Sequence, residues 1–290
     1  MKRYVVGLGE ALWDNLPTGK KLGGAPANFA YHAAQFGLDA IAVSAIGRDA
    51  LGEELISELK SHKLEHLMEV VDFPTGTVEV TVDAQGIPQY EIRTGVAWDH
   101  IPYTEAMAAL AANCRAVCFG SLAQRSEVSR NTISRFLDAV PADCLKVFDI
   151  NLRQSFYTGQ IIADSMQRCD ILKINDEELE VVAKLFGYSG LTTDAVCHAI
   201  MRDYHLQMLI LTCGKRGSYI YHDGGMSFME TPDSEVVDTV GAGDSFGGSF
   251  VASILCGKSV AEAHRTAVDV STFVCSCPGA MPLIPDTFKS

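Results

Sequence analysis

The stretch Asp238-Thr239-Val240-Gly241-Ala242-Gly243-Asp244-Ser245-Phe246-Gly247-Gly248 constrains this chain more than any other. Behind its glycines, apolar residues recur at Phe246, Phe250, Val251, Ile254 and Leu255, a helical spacing over Ser245 to Cys256, and Gly257 stands where such a helix would stop. Residues 241 to 244 therefore form a helix mouth. Its first N–H groups lack intrahelical partners, and the helix dipole adds partial positive charge there. With no side chains at Gly241 and Gly243, an anion can come close to the backbone. Asp244 puts a carboxylate at the same mouth, which a simple anion cup should avoid. A site that removes a proton from a hydroxyl as it attacks a phosphoryl group needs both features together.

The chain of 290 residues is long enough for one large α/β domain or two average ones, and 48% of its residues are apolar. A net charge of −13 argues against nucleic acid and against an anionic membrane as partners. The apolar run Tyr4 to Leu8 reaches Glu10 too soon for a signal-peptide core, and no run is long enough to span a bilayer. Nine scattered cysteines without a Cys-x-x-Cys pair read as reduced thiols, which points to the cytoplasm. Cys275 and Cys277 alone make no metal site. His62 and His66, four apart with Glu65 between, read as a solvated helix end.

Tyr4–Leu8 reads as a buried strand, followed by an exposed excursion to Leu22 that carries Asp14. Helices are expected over Pro26–Phe36 and Ala50–His62, with a strand over Ala40–Ile46 between them. Thr77–Val82 alternates, Ala84-Gln85-Gly86 makes a turn, and Gln89–Arg93 returns. This hairpin and residues 10–22 are expected to form a β lid. From Ala106 onward, strands at Arg115–Phe119, Leu145–Ile150, Asp170–Ile174 and Gln207–Thr212 alternate with helices near 126–140, 158–168, 176–187 and 192–204. Ser218–His222 is a further strand and Ala261–Cys275 a last helix. Such alternation implies right-handed βαβ units, a mostly parallel sheet and a crevice at the strand carboxyl ends. Ser121 and Gln124, Asn151 and Arg153, Asn175 and Glu178, and Thr212 and Gly214 fall at those ends. Each alone could be a turn or a cap; together they describe a site.

Asp238 to Phe246 resembles the second signature of the ribokinase-like carbohydrate kinases, the PfkB family. Gly23-Gly24-Ala25-Pro26-Ala27-Asn28 resembles the family's sugar-binding signature. Asn175-Asp176-Glu177-Glu178 resembles its Asn-x-x-Glu motif, and Thr212-Cys213-Gly214-Lys215-Arg216-Gly217 its nucleotide-phosphate loop. Four motifs in the family's order cover essentially the whole chain. Asp149-Ile150-Asn151-Leu152-Arg153 and Cys277-Pro278-Gly279-Ala280 look most like the fructokinase branch.

The resemblance implies an α/β fold, a ribokinase-like three-layer αβα sandwich with a mostly parallel central sheet and a small β-strand lid. Residues 1–290 would form a single kinase domain, with lid segments near 10–22 and 72–98. The implied activity is phosphoryl transfer from ATP, with Mg²⁺, to a sugar, D-fructose leading and D-fructose 6-phosphate the product. Asp244 would be the base, with the amides of Gly241, Ala242 and Gly243 and the Arg153 guanidinium holding phosphoryl charge. Asp14, Gly23, Gly24, Asn28, Gln124, Asn151 and Asp244 would line the sugar. Asn175, Thr212, Gly214, Lys215, Gly217, Gly241, Gly243 and Ser271 would hold the nucleotide. Glu178 would serve Mg²⁺ through ordered water, although Asn175 and Glu178 also read as a helix cap with an acidic first turn. Asp238 and Gly279 would hold a monovalent cation such as K⁺. The lid would exclude water and, through exposed apolar faces, support a homodimer.

Other readings are a kinase for 2-keto-3-deoxygluconate or another sugar, and a non-catalytic sugar or nucleotide sensor, whose mark would be loss of Asp244 or its glycines. A dinucleotide-binding oxidoreductase lacks the Gly-x-Gly-x-x-Gly turn after the first strand. Gly257-Lys258-Ser259 mimics the end of a Walker A loop, but Ala252 stands where that motif needs its first glycine.

Overall fold

The structure is a computed structural model that describes residues 2–16, 19–82 and 88–289. The chain begins with β1 (Tyr4–Leu8), β2 (Leu12–Leu16), β3 (Gly19–Gly23), α1 (Ala25–Ala34), β4 (Ala40–Gly47), α2 (Ala50–Ser61) and β5 (Glu65–Val71). It continues through β6 (Gly76–Val82), β7 (Pro88–Ile92), α3 (Glu105–Ala112), β8 (Cys114–Gly120), α4 (Glu127–Ala139), β9 (Leu145–Asp149) and α5 (Gly159–Arg168). Then come β10 (Ile171–Asn175), α6 (Asp176–Leu185), α7 (Thr193–Tyr204), β11 (Met208–Thr212), β12 (Ser218–His222), β13 (Gly225–Met229), α8 (Ala242–Leu255) and α9 (Val260–Cys275).

A nine-stranded sheet runs in the order β13-β12-β11-β10-β9-β8-β1-β4-β5. From β5 to β11 every pairing is parallel; β12 and β13 close one edge antiparallel. Successive residues of each inner strand face opposite layers, as the pleat requires. Val6, Val117, Phe119 and Phe148 pack with Ile133, Phe136 and Ile162 from α4 and α5. Val5, Ala116, Cys118 and Val147 pack with Phe29, Phe250 and Ala267 from α1, α8 and α9. These are the three layers of a ribokinase-like α/β fold, and a smaller sheet, β3-β2-β6-β7, forms the lid. Among the described residues, no helix is long and apolar enough to cross a membrane.

Three details bear on the sequence expectation. The lid expected over residues 10–22 is built there of β2 and β3, and Asp14 sits on β2, opposite Lys21 on β3. His66 lies on β5 and not at a helix end, because the turn after Ser61 starts a strand beside β4. The lid residues Leu12, Trp13, Val78 and Ile92 are buried within the chain, and the Trp13 indole donates to the Leu51 carbonyl at 3.0 Å. The Ala84-Gln85-Gly86 turn lies outside the described residues.

Candidate active site

Gly241 is the residue that opens the cup. Its φ of 76° is one that side chains resist, and a Cβ there would stand 2.5 Å from that of Ala280. It serves as N-cap of α8, so Gly243 and Asp244 fall in the first turn. Ala242 N–H donates to Thr239 O at 3.3 Å and Ser245 N–H to Gly241 O at 2.8 Å. The N–H groups of Gly241, Gly243 and Asp244 have no acceptor among the described residues, whereas that of Ala242, expected to be a fourth donor, is spent on Thr239, which leaves three donors at the helix mouth.

Close packing of α1 on α8 brings the two glycine-rich segments together. A Cβ on Gly248 would come within 2.6 Å of Phe29 O, so only glycine admits this approach. As a result Asn28, in α1, donates from Nδ2 to Asp244 Oδ2 at 2.7 Å. His32, one turn further and fully buried, donates from Nε2 to Ala280 O at 2.8 Å and fastens the Cys277–Ala280 segment beside Gly241. Burial pushes the His32 ring down to about 4, so it is neutral.

Three carboxyls around this cleft are pushed up. Asp244 rises to about 6, through burial and then the charge of Asp149, against Lys173, the Asn28 hydrogen bond and Arg153. Glu10, just beyond β1 and 3% exposed, rises to about 7, through burial first and with Asp244 adding to it. Asp14 rises to about 6 through burial, against Arg153 and Lys21. The charge of the exposed Arg153 guanidinium opposes the burial of all three.

At the next strand ends, Asn175 caps α6 by accepting from Glu178 N at 2.8 Å, and Glu178 Oε2 accepts from Asn175 N at 2.9 Å. Glu178 Oε1 accepts from Leu152 N at 2.8 Å, tying α6 to the segment that carries Asn151 and Arg153. The capping box expected as one alternative is therefore present, and each Glu178 oxygen retains a further lone pair. Asn151 has φ 41°, a left-handed turn directly after β9.

Thr212 ends β11, and Gly214–Arg216 is a 3₁₀ turn in the tight connection to β12. It is held by Cys213 N to Gly217 O at 2.8 Å, by Thr231 Oγ1 to Gly214 O at 2.7 Å and by an Arg216–Asp176 ion pair. A cavity of about 620 Å³ lies beside it, lined by Lys215, Arg216, Glu230, Thr231, Pro232 and Asp233.

Two of the remaining expected residues, Gln124 and Ser271, spend their side-chain donors inside the fold. Gln124 spends both amide protons inside the fold, on Gly120 O at 2.8 Å and Ser165 Oγ at 2.9 Å, so it builds a wall of the site without offering a donor to a ligand. Ser271 Oγ turns back to Val268 O at 3.1 Å in α9, the usual local bond of a mid-helix serine. Asp238 accepts from Val240 N at 3.0 Å, and from Gly279 N and Lys21 Nζ at 3.1 Å each. Burial works against its charge, but these donors outweigh it and hold the carboxyl below its ordinary value. Gly279 meets Asp238 through its N–H, and the lid strand β3 is tied there through Lys21. Asp14, Gly23 and Gly24 lie at or beside the lid strands, and a Cβ on Gly23 would run into the Asp14 carboxylate at 2.4 Å.

Sequence reasoning gives no role to Glu10, Lys173 or Asp149. Lys173 and Asp149 are register partners on β10 and β9, each 7% exposed, and Lys173 Nζ donates to both Asp149 oxygens at 2.9 and 2.8 Å. The signal was a lysine within the apolar run Ile171-Leu172-Lys173-Ile174.

A strand-end cleft, three N–H groups at a helix mouth and a carboxylate beside them are what an α/β phosphotransferase requires. The chain belongs to the pfkB family of carbohydrate kinases, whose model matches residues 12–287; its members transfer phosphoryl groups to sugar hydroxyls. An ATP-dependent 6-phosphofructokinase of Thermoanaerobacterium thermosaccharolyticum is 28% identical, over 100% of this chain and 94% of its own length. Fructokinase-1 of Oryza sativa subsp. japonica is 26% identical, over 97% and 94%. The solved fructokinase of Xylella fastidiosa with bound ATP superposes with a TM-score of 0.85 at 20% identity, covering 98% of this chain and 96% of that one.

Proposed function

We propose that this sugar kinase transfers the γ-phosphoryl of ATP to a hydroxymethyl oxygen of D-fructose, giving D-fructose 6-phosphate and ADP. One observation carries the reading: a carboxylate, Asp244, held by Asn28 at 2.7 Å, shares the mouth of α8 with three N–H groups that have no acceptor among the described residues. The hydroxyl oxygen bonds to the γ-phosphorus as the bond to the β–γ bridging oxygen breaks, and the hydroxyl proton passes to Asp244. The Gly241, Gly243 and Asp244 amides and Arg153 hold the charge on the transferring group, Ala242 having given its N–H to Thr239. Asp14 and Asn28 orient the sugar, and Thr212, Gly214 and Gly217 cradle the nucleotide phosphates.

The donor set suits Mg²⁺, because Glu178 keeps a lone pair on each oxygen toward ordered water, and this ion needs few protein ligands when phosphates supply the rest. When bound, the ion would neutralise phosphate charge. The names of the relatives support a hexose acceptor, and fructokinases among them favour fructose.

ADP release measured over a panel of sugars, fructose 6-phosphate and 2-keto-3-deoxygluconate included, tests the acceptor. Fructose is expected to give the highest kcat/KM. Asp244→Asn is expected to cost about a hundred- to ten-thousand-fold in turnover. A folded variant with near-parental turnover removes the base assignment.

A further inference from the structure

The phosphoryl transfer just described makes no use of Lys173. This lysine stands in an otherwise apolar strand, and its ammonium is bound on both oxygens of Asp149, directly across on β9. Stability does not require the pair, because removing two charges from water costs about what their attraction returns. Its position supplies the reason. A Cβ on Gly243 would stand 3.1 Å from Lys173 Nζ, and one on Gly247 would stand 3.4 Å from its Cδ. The stem therefore runs along the first turn of α8, and the ammonium lies against the underside of the amide cup. An ammonium has three donors, and among the described residues those of Lys173 go only to Asp149. Burial works against its charge, but Asp149 and then Asp244 outweigh it and hold the lysine above its ordinary value.

We propose that Lys173 is a positioning residue for phosphoryl transfer: fixed by Asp149, it sets a buried cation behind the cup that keeps Asp244 ionised while an anionic group fills the mouth. The proposal rests on the reading of Asp244 as the base. The groups facing Asp244 are Asn28 from α1, Asp149 from β9, Lys173 from β10, Arg153 from the segment after β9, Glu10 beyond β1 and Cys118 from β8. Lys173 and Arg153 are the cations of this set, and Lys173 alone of the two is buried, so its field is the less screened by salt. Without it, Asp149 and Asp244 would face each other as like charges.

The experiment compares Lys173→Met, Lys173→Gln and Lys173→Arg with the parent, in pH profiles of kcat/KM and in the NMR titration of the Asp244 side-chain carboxyl. Met and Gln are expected to move the acid limb and the titration upward by about one pH unit, so that their loss is about fivefold greater at pH 6 than at pH 9. Arg is expected to leave both where the parent has them. Gln can still hydrogen-bond Asp149, so it carries the measurement if Met does not fold. A uniform loss at every pH, with the Asp244 titration unmoved in Gln, overturns the proposal. Near-parental turnover in Asp244→Asn would instead overturn the base reading itself, whatever the Lys173 variants do.

Discussion

The acceptor half of the cleft and the nucleotide half are built on opposite plans. Glu10, Asp14 and Asn28 come from the start of the chain and Asp244 from far along it, and their three carboxyls are all pushed up by burial. The 212–217 turn is local in sequence, held mainly by main-chain groups, and it presents Lys215 and Arg216 to solvent. Strained electrostatics collect where a proton must move; a polyphosphate needs only main-chain N–H groups and modest charge. The contrast predicts that changes in the first half act on kcat and on pH dependence, and changes in the second on KM for ATP.

Asn28→Ala offers the largest test of that division. It removes the Asp244 donor and leaves a shielded carboxylate free to turn, so kcat is expected to fall about a hundredfold with little change in KM for ATP. Steady-state kinetics with the preferred sugar check this, and a kcat within threefold of the parent would put Asn28 outside the chemistry. The pH profile comes next. A base must be ionised to work, and Asp244 titrates at about 6. Activity should therefore fall about tenfold per pH unit below that value, while remaining flat between pH 7 and 8.

Glu10 takes the comparison from rate to stability. Its folded value of about 7 lies above its ordinary 4.5. Between those pH values the folded chain holds a proton that the unfolded chain has lost, so stability falls as pH rises through this window. Above it the cost reaches at most roughly 3 kcal/mol. Glu10→Gln stays neutral and should unfold at higher urea than the parent at pH 8, with the gain shrinking toward pH 4.5. An equal gain at both values would mean that packing, not charge, is responsible.

Legibility in the sequence follows the same division. The βα alternation after Ala106 and the glycine-rich mouth of α8 are local signals, and they located the sheet, its carboxyl edge and the cup. The Asn175–Glu178 box was readable because both partners lie within one helical turn. Lys173 and Asp149 were not read as a pair, because register between neighbouring strands is set by tertiary packing across 24 positions of chain. Glu10 looks in sequence like the end of an apolar run, and only the fold shows that it is buried within reach of the Asp244 charge. Gln124 was read from its strand-end position alone, which cannot tell a ligand donor from one spent on Ser165. β13 escaped notice because Gly225–Met229 is a short edge strand with exposed Met226 and Phe228, lacking a clean alternation.

The smallest expected effect belongs to Lys215. Its side chain is exposed on the lip of the 620 Å³ cavity, and no hydrogen bond or ion pair fixes it among the described residues. A solvated ammonium facing a phosphate gains little, since water screens the attraction and the long side chain loses freedom on binding. Lys215→Ala should therefore raise KM for ATP about threefold, leave kcat unchanged, and lose its effect in high salt. Gly217 in the same turn is a sharper contrast, because a Cβ there would strike Met229 O at 2.3 Å with φ at 117°. Gly217→Ala should displace the turn itself and weaken ATP binding more than the loss of the charge does. Were Lys215→Ala instead to lower kcat while sparing KM, the nucleotide half would be taking part in the chemical step, and the division between the two halves would fail.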